Sequence, residues 1–200
     1  MVVVRRTETM KRGFLNALLR SGKTVFSFKD LILLWGGIDR LTAGSRVHYY
    51  IQKGHLYPVR RGFYAKDKDY DRFELATKIF TPSYISFETV LGRAGVTFQF
   101  YREIFIASYQ SREITCDGQA YHFRKIKEAI LTSDVGMEGR ENYSIASAER
   151  AFLDVLYLFK DYHFDNVSPL NWDKVWEIFP IYGGHKRMEK KIGDLQHNHA

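Results

Sequence analysis

The stretch LTAGSRVHYYIQKGHLYPVRRGFYA, residues 41–65, joins a helix pattern directly to a strand-turn-strand pattern. Its apolar residues recur at helical spacing and predict a helix over 41–53 that buries one face, formed by Ala43, Val47, Tyr50 and Ile51. Gly54 follows in the position of a C-terminal cap. The opposite face is polar and gains little from burial, so we expect it to be exposed.

Two short β-prone runs follow this helix, at 55–59 and 62–65. They flank Arg60 and Arg61, and Gly62 comes directly after the two arginines. This arrangement predicts a β-hairpin whose tip is doubly basic.

The residues before 41 predict two more helices. Apolar spacing predicts a first helix over 9–20, followed by a short extended piece at 24–26. Ser27 with Asp30 three residues later resembles a capping box, which predicts a second short helix that two glycines then end. Three helices followed by a basic hairpin predict a winged helix-turn-helix.

Positive charge is concentrated in the same part of the chain. Residues 1–65 hold 12 Lys and Arg against 3 acids, a net charge of +9, whereas the whole chain carries +7. The remainder, 66–200, is therefore close to neutral at −2. A basic block with this helix pattern is typical of a nucleic-acid-binding domain. A winged helix used for protein–protein contact is the alternative.

The predicted partner is double-stranded DNA. The predicted contact residues lie on the outward face of the 41–53 helix and at the hairpin tip: Thr42, Ser45, Arg46, Tyr49, Lys53, Arg60 and Arg61. The first two lie near the helix start, where a phosphate can also be held. Arg46 can make a bidentate contact with guanine, unless it pairs with Asp30 or Asp39 within its own domain.

A segment of alternating charge, 66–71, predicts the boundary between a domain at 1–68 and a larger α+β domain at 69–200. In the second domain, Asp117-Gly118 predicts a hairpin between two β-rich runs. Ser86 and Ser147 are expected to cap helices. The helix after Ser147 is apolar nearly all round, which predicts the buried central helix of this domain.

Several segments resemble the AbiEi antitoxins, the repressor halves of bacterial abortive-infection toxin–antitoxin pairs. The N-terminal segment is similar in TAGSRVHYYIQKGHLYPVRRGFYA, and the similar segments of the second domain are PSYISFETVLGRAGV, AYHFRKI and YSIASAERAFLDVLYL. The matches cover roughly residues 10–160. The resemblance implies repression of the protein's own operon. It also implies neutralisation of a toxin with a nucleotidyltransferase fold, by a route that does not require direct contact.

The sequence gives little support for a disulfide, a membrane segment, a metal or cofactor site, or a nuclease site. One cysteine, Cys116, excludes an intramolecular disulfide and favours a reducing compartment. The start has no long apolar run and no segment has membrane-spanning length, so we expect a cytoplasmic protein. Neither a metal-ligand pattern nor a cofactor motif is found, and five acids are more typical of structural roles than of a nuclease site: Glu141, Glu149, Asp154, Asp161 and Asp165.

The sequence therefore predicts a DNA-binding repressor and antitoxin that is not an enzyme. Two alternatives remain open. The first is a winged-helix transcription factor, unrelated to a toxin, whose second domain senses a small ligand. The second is a nuclease that uses the winged helix for targeting.

Overall fold

A computed structural model describes residues 13–198, which fall into two units. The first unit ends at Leu75 and the second begins at Ala76. Both contain helices and a β-sheet, so the predicted α+β class is confirmed. The predicted start of the first helix at residue 9 lies outside the described residues.

Within the described residues, the first unit contains three helices, the first turn of a fourth and a three-stranded sheet. Its elements in chain order are α1 (13–20), β1 (Val25–Ser27), α2 (Phe28–Leu34), α3 (Arg40–Gln52), β2 (Tyr57–Arg60) and β3 (Phe63–Ala65). The sheet order is β1–β3–β2 and both pairings are antiparallel. The predicted hairpin is present, but its turn consists of Arg61 and Gly62, and Arg60, which was predicted at the tip, is the last residue of β2.

The three helices of the first unit bury one shared core. Its members are Leu18, Phe26, Leu31, Trp35, Ala43, Val47, Tyr50 and Leu56. The predicted capping box is confirmed: Ser27 accepts from the Asp30 amide at 3.0 Å, and the Asp30 carboxylate accepts from the Ser27 amide at 2.9 Å. The apolar side of α3 is the predicted one, with Ala43, Val47 and Tyr50 buried.

The first unit continues past the charged segment 66–71. The Lys66 and Asp71 amides donate to Thr24, and Tyr70 is buried. Further along, Glu74 is buried and its carboxylate accepts from both the amide and the hydroxyl of Thr24, each at 2.7 Å. The division between the units therefore lies inside α4 (Arg72–Ile79), later than the charged segment.

The second unit is built on a six-stranded mixed sheet. Its strands are β4 (Ser83–Ile85), β5 (Ile104–Ser108), β6 (Arg112–Cys116), β7 (Gln119–Lys125), β8 (Met137–Gly139) and β9 (Ser144–Ala146), in the order β6–β7–β5–β4–β9–β8. Its helices are α5 (Glu88–Arg93), α6 (Glu128–Leu131), α7 (Ala148–Leu158), α8 (Trp172–Ile178), a 3-10 turn (Phe179–Tyr182) and α9 (Lys186–Asn198). Within residues 13–198, no helix has both the length and the apolar character that a membrane span requires.

Helix α7 is the buried helix of the second unit, as predicted. Ser147 caps it by accepting from the Arg150 amide at 3.2 Å. The helix is buried on all sides over its first turns, and this includes its charged residues Arg150 and Asp154, which are inaccessible to solvent.

A buried polar network accounts for these two charges. Arg150 donates to the carbonyls of Ile130, Ser133 and Val135, which fixes the backbone between α6 and β8. The Asp154 carboxylate accepts from the hydroxyls of Tyr84 at 3.0 Å, Ser86 at 2.7 Å and Tyr182 at 2.7 Å, and lies 3.7 Å from the Arg150 Nε. Burial raises the pKa of Asp154, although Arg150 and the hydroxyls act in the opposite direction.

This network also corrects one prediction. Ser86 does not cap α5, because its buried hydroxyl donates to Asp154 and Phe87 takes the cap position without a side-chain bond. The hairpin predicted at Asp117-Gly118 is confirmed, and both residues have positive φ. Helix α6, strand β8 and the 3-10 turn are short elements that the sequence did not predict.

Candidate nucleic-acid interface

An aspartate caps the N-terminus of α3. The Asp39 carboxylate accepts from the amides of Leu41 at 3.0 Å and Thr42 at 2.9 Å. A bond from the Thr42 hydroxyl, together with these amides, lowers the pKa of Asp39. Because Asp39 already occupies these donors, this helix start has fewer free groups for a phosphate than the sequence suggested.

Among the described residues, one face of α3 lines a concave surface that encloses about 410 Å³. Its lining residues follow one another at helical spacing: Leu41, Thr42, Ser45, Arg46 and Tyr49. Four of the predicted contact residues, Thr42, Ser45, Arg46 and Tyr49, are thus brought together. Leu41 is 85% exposed and Tyr49 is 40% exposed, so the face combines apolar and polar groups.

Arg46 lies at the edge of this concave surface and is held by its own unit. Its guanidinium is 4.0 Å from the centre of the Phe14 ring, and it hydrogen-bonds to the Tyr50 hydroxyl. Its Nε atom is buried and has no hydrogen-bond partner within the described part of the chain. A bidentate contact with guanine would therefore require Arg46 to leave the Phe14 ring.

The remaining predicted residues lie on other elements of the first unit. Lys53 is exposed and is the residue at which α3 ends. Arg61 is exposed in the turn between β2 and β3. Arg60 is the last residue of β2, where its guanidinium lies 6.0 Å from the Phe63 ring, so it is less free than Arg61 to reach a phosphate.

Two residues of this site were not predicted from the sequence. Leu41 lies on the same line of the helix as Ser45 and Tyr49, and this spacing could have placed it on the outward face. Phe14 holds Arg46 from a different helix, and no local pattern reveals such a contact.

Three of the five acids considered for a nuclease site have structural partners, whereas Glu141 and Asp161 are exposed. Asp154 belongs to the buried network, the Glu149 carboxylate accepts from the Asn171 amide at 3.1 Å, and Asp165 accepts from the Phe98 amide at 2.7 Å. Within residues 13–198, no group of three or more His, Cys, Asp or Glu side chains is placed to hold a metal ion. Comparison with protein-family models and with curated proteins gives no match to this chain.

Proposed function

We propose that the first unit is a winged helix-turn-helix that binds double-stranded DNA. Helix α3 is its recognition helix, and the turn between β2 and β3 is a short wing. The element order and the sheet order β1–β3–β2 support this assignment. The net charge of +9 over residues 1–65 is complementary to the phosphates of a duplex.

The outward face of α3 is the observation that carries this proposal. Four of its lining side chains, those of Leu41, Thr42, Ser45 and Tyr49, are exposed, because the core uses the opposite side of the same helix. An α-helix fits into the major groove of DNA, where its side chains reach the edges of the bases. An exposed helix face on a strongly basic unit is suited to that contact.

For the whole chain, we propose a repressor of its own operon that acts as the antitoxin to a nucleotidyltransferase-like toxin. Support comes from the AbiEi-like segments, among which YSIASAERAFLDVLYL forms β9 and the capped helix α7. The internal bonds of Glu149, Asp154 and Asp165 support a non-enzymatic role, since these carboxylates already have structural partners.

Fluorescence anisotropy with the full chain tests the DNA-binding proposal. The probes are the duplex upstream of its gene and a scrambled duplex of equal composition, each over a series of salt concentrations. We expect tighter binding to the upstream duplex and a steep fall in affinity with salt. Arg61→Ala should lower the log–log salt slope by about 1 on both duplexes, because one phosphate contact is lost.

The matched control is Arg102→Ala, which removes an exposed arginine from the second unit. Its salt slope should equal that of the unchanged protein. Equal salt slopes for all three proteins would show that the wing does not contact DNA. An affinity that does not depend on salt would overturn the proposal of DNA binding.

A ligand-sensing regulator is the second candidate. It is favoured by a concave surface of about 520 Å³ on the second unit, whose lining includes Arg112, His122 and Arg124. However, Arg124 is paired with Glu88 at 2.6 Å, so part of the positive charge of this surface is already matched. A thermal-shift screen with small carboxylates and phosphates tests it, and no rise in melting temperature would count against it.

A further inference from the structure

We propose that Leu41 reads thymine in the major groove by packing against its C5-methyl group. This inference rests on the proposed DNA-binding function and names a specificity residue for the same face. It assigns a role to a side chain that the helix pattern left unexplained.

Exposure and position select Leu41. It lies in the first turn of α3 and is 85% exposed, so its side chain contributes little to the core of its own unit. In helix-turn-helix proteins, the first residues of the recognition helix approach the base edges most closely. Burial of an exposed leucine against an apolar group of DNA would be favourable, since it removes apolar surface from water.

Several polar groups near Leu41 are already engaged. The Leu41 and Thr42 amides and the Thr42 hydroxyl bind the Asp39 carboxylate, and the Arg46 guanidinium lies on the Phe14 ring. The exposed side chain of Leu41 therefore offers carbon atoms at the start of α3, between the exposed Arg40 and Ser45. Among the groups exposed in the major groove, the thymine methyl is the apolar one.

Charge complementarity identifies DNA as the occupant of this apolar surface. A second copy of the chain would bring another 1–65 segment of net charge +9 against the first, and the two would repel. A polyanion carries the opposite charge. Dimerisation through Leu41 is nevertheless an outcome that the experiment below detects.

Replacement of thymine by uracil isolates the methyl contact. Deoxyuridine keeps every hydrogen-bonding group of thymidine and lacks only the C5-methyl. The upstream duplex is prepared with either base and titrated with the full chain. We expect the uracil duplex to bind about 4-fold more weakly for each methyl group contacted, the factor that corresponds to burial of one carbon.

Two leucine variants complete the experiment. Leu41→Ala should bind the thymine and uracil duplexes equally, with its salt slope unchanged. Leu33→Ala is the matched control, because Leu33 is 64% exposed on α2 and lies outside the concave surface. It should retain the full preference for thymine. Because both leucines are exposed, neither change should unfold the unit, and circular dichroism verifies this.

Each negative result of this experiment has a different meaning. Equal binding of both duplexes by the unchanged protein, or a retained preference in Leu41→Ala, overturns the role of Leu41 while DNA binding stands. The inference is also overturned if Leu41→Ala changes the sedimentation coefficient and leaves the thymine preference intact, which would assign the surface to a second copy. Absence of binding to either duplex would overturn the proposed function, and this inference with it.

Discussion

Helices α3 and α7 carry an arginine in similar local settings and use it differently. Each helix begins at a side-chain cap, and each arginine lies over an aromatic ring: Arg46 is 4.0 Å from the Phe14 ring, and Arg150 is 5.1 Å from the Tyr84 ring. Arg150 is fully buried and bonded to three backbone carbonyls, whereas Arg46 is half-buried beside an exposed face.

The surroundings of each arginine explain this difference. Helix α7 is buried on every side over its first turns, so a charge there must find internal partners. Helix α3 has one apolar side only, so its polar side remains at the surface. The burial of the neighbouring residues, more than the residue type, therefore determines whether an arginine has a structural role or is available to a partner.

The largest expected effect tests the buried side of this comparison. Asp154→Ala leaves the buried Arg150 without its carboxylate and removes the acceptor for three hydroxyls. We expect the free energy of unfolding of the second unit to fall by about 3–5 kcal/mol in urea titrations. The control Asp161→Ala removes an exposed acid and should change it by about 0.5 kcal/mol or less. Similar losses for the two variants would mean that the network contributes little.

The second prediction concerns the end of the first unit. A fragment ending at residue 68 lacks Tyr70, Glu74 and Leu75, all of which are buried. A fragment ending at residue 80 keeps them, together with the two bonds from Thr24 to Glu74. We expect the shorter fragment to be less stable by about 3 kcal/mol, since bonds to a charged group contribute about 1.5–3 kcal/mol each.

Thermal denaturation of both fragments measures this difference. Glu74→Gln in the longer fragment is the matched change, because it removes the charge while the apolar contacts remain. Equal melting temperatures for the two fragments would place the end of the unit at the charged segment instead.

Local signals predicted much of the fold. The Ser27–Asp30 capping box, the Asp117-Gly118 hairpin and the Ser147 cap of α7 all follow from neighbouring residues, and the structure contains each of them. Ser86 was misassigned because its partner Asp154 lies 68 positions away and competes successfully for its hydroxyl. A capping pattern is read over about four residues and cannot reveal such a competitor.

In the candidate site too, local patterns were predicted and long-range contacts were not. The outward face of α3 was predicted because helical spacing separates it from Ala43, Val47 and Tyr50. The contact between the Phe14 ring and the Arg46 guanidinium was not predicted, because it depends on how two helices pack. Long-range packing thus decides which predicted side chains are free to bind.

The third prediction separates two roles for Arg46. Loss of the Phe14 contact and the Tyr50 bond in Arg46→Ala should lower the free energy of unfolding of the first unit by about 1–2 kcal/mol. If Arg46 also reads guanine, the same variant should lose about 1–3 kcal/mol of affinity for the cognate duplex and much less for random DNA. Urea titration and anisotropy on one preparation measure both quantities.

Arg40→Ala provides the matched control for Arg46. Arg40 is exposed on the same helix and its guanidinium lies 5.6 Å from the Phe28 ring, so its loss should cost less stability. A Phe14→Leu and Arg46→Ala double-mutant cycle then isolates the ring contact. A coupling energy near zero would show that the ring does not hold the guanidinium in solution.

The smallest expected effect is a pH dependence at the start of α3. Hydrogen bonds from Thr42 and Leu41 lower the pKa of Asp39 below its ordinary value of 3.8. A depressed folded-state pKa means that the ionised cap stabilises the first unit above pH 3.8, and that this contribution is lost as the pH falls from there through the folded pKa. Asp39→Asn keeps an acceptor oxygen for the helix amides but cannot ionise. The melting temperature of the unchanged protein should therefore fall more steeply in this acid range than that of Asp39→Asn, while at neutral pH the two should differ only slightly. Parallel pH profiles for the two proteins would show that Asp39 does not cap α3 as a carboxylate, and the amides at the helix start would then be available to a phosphate.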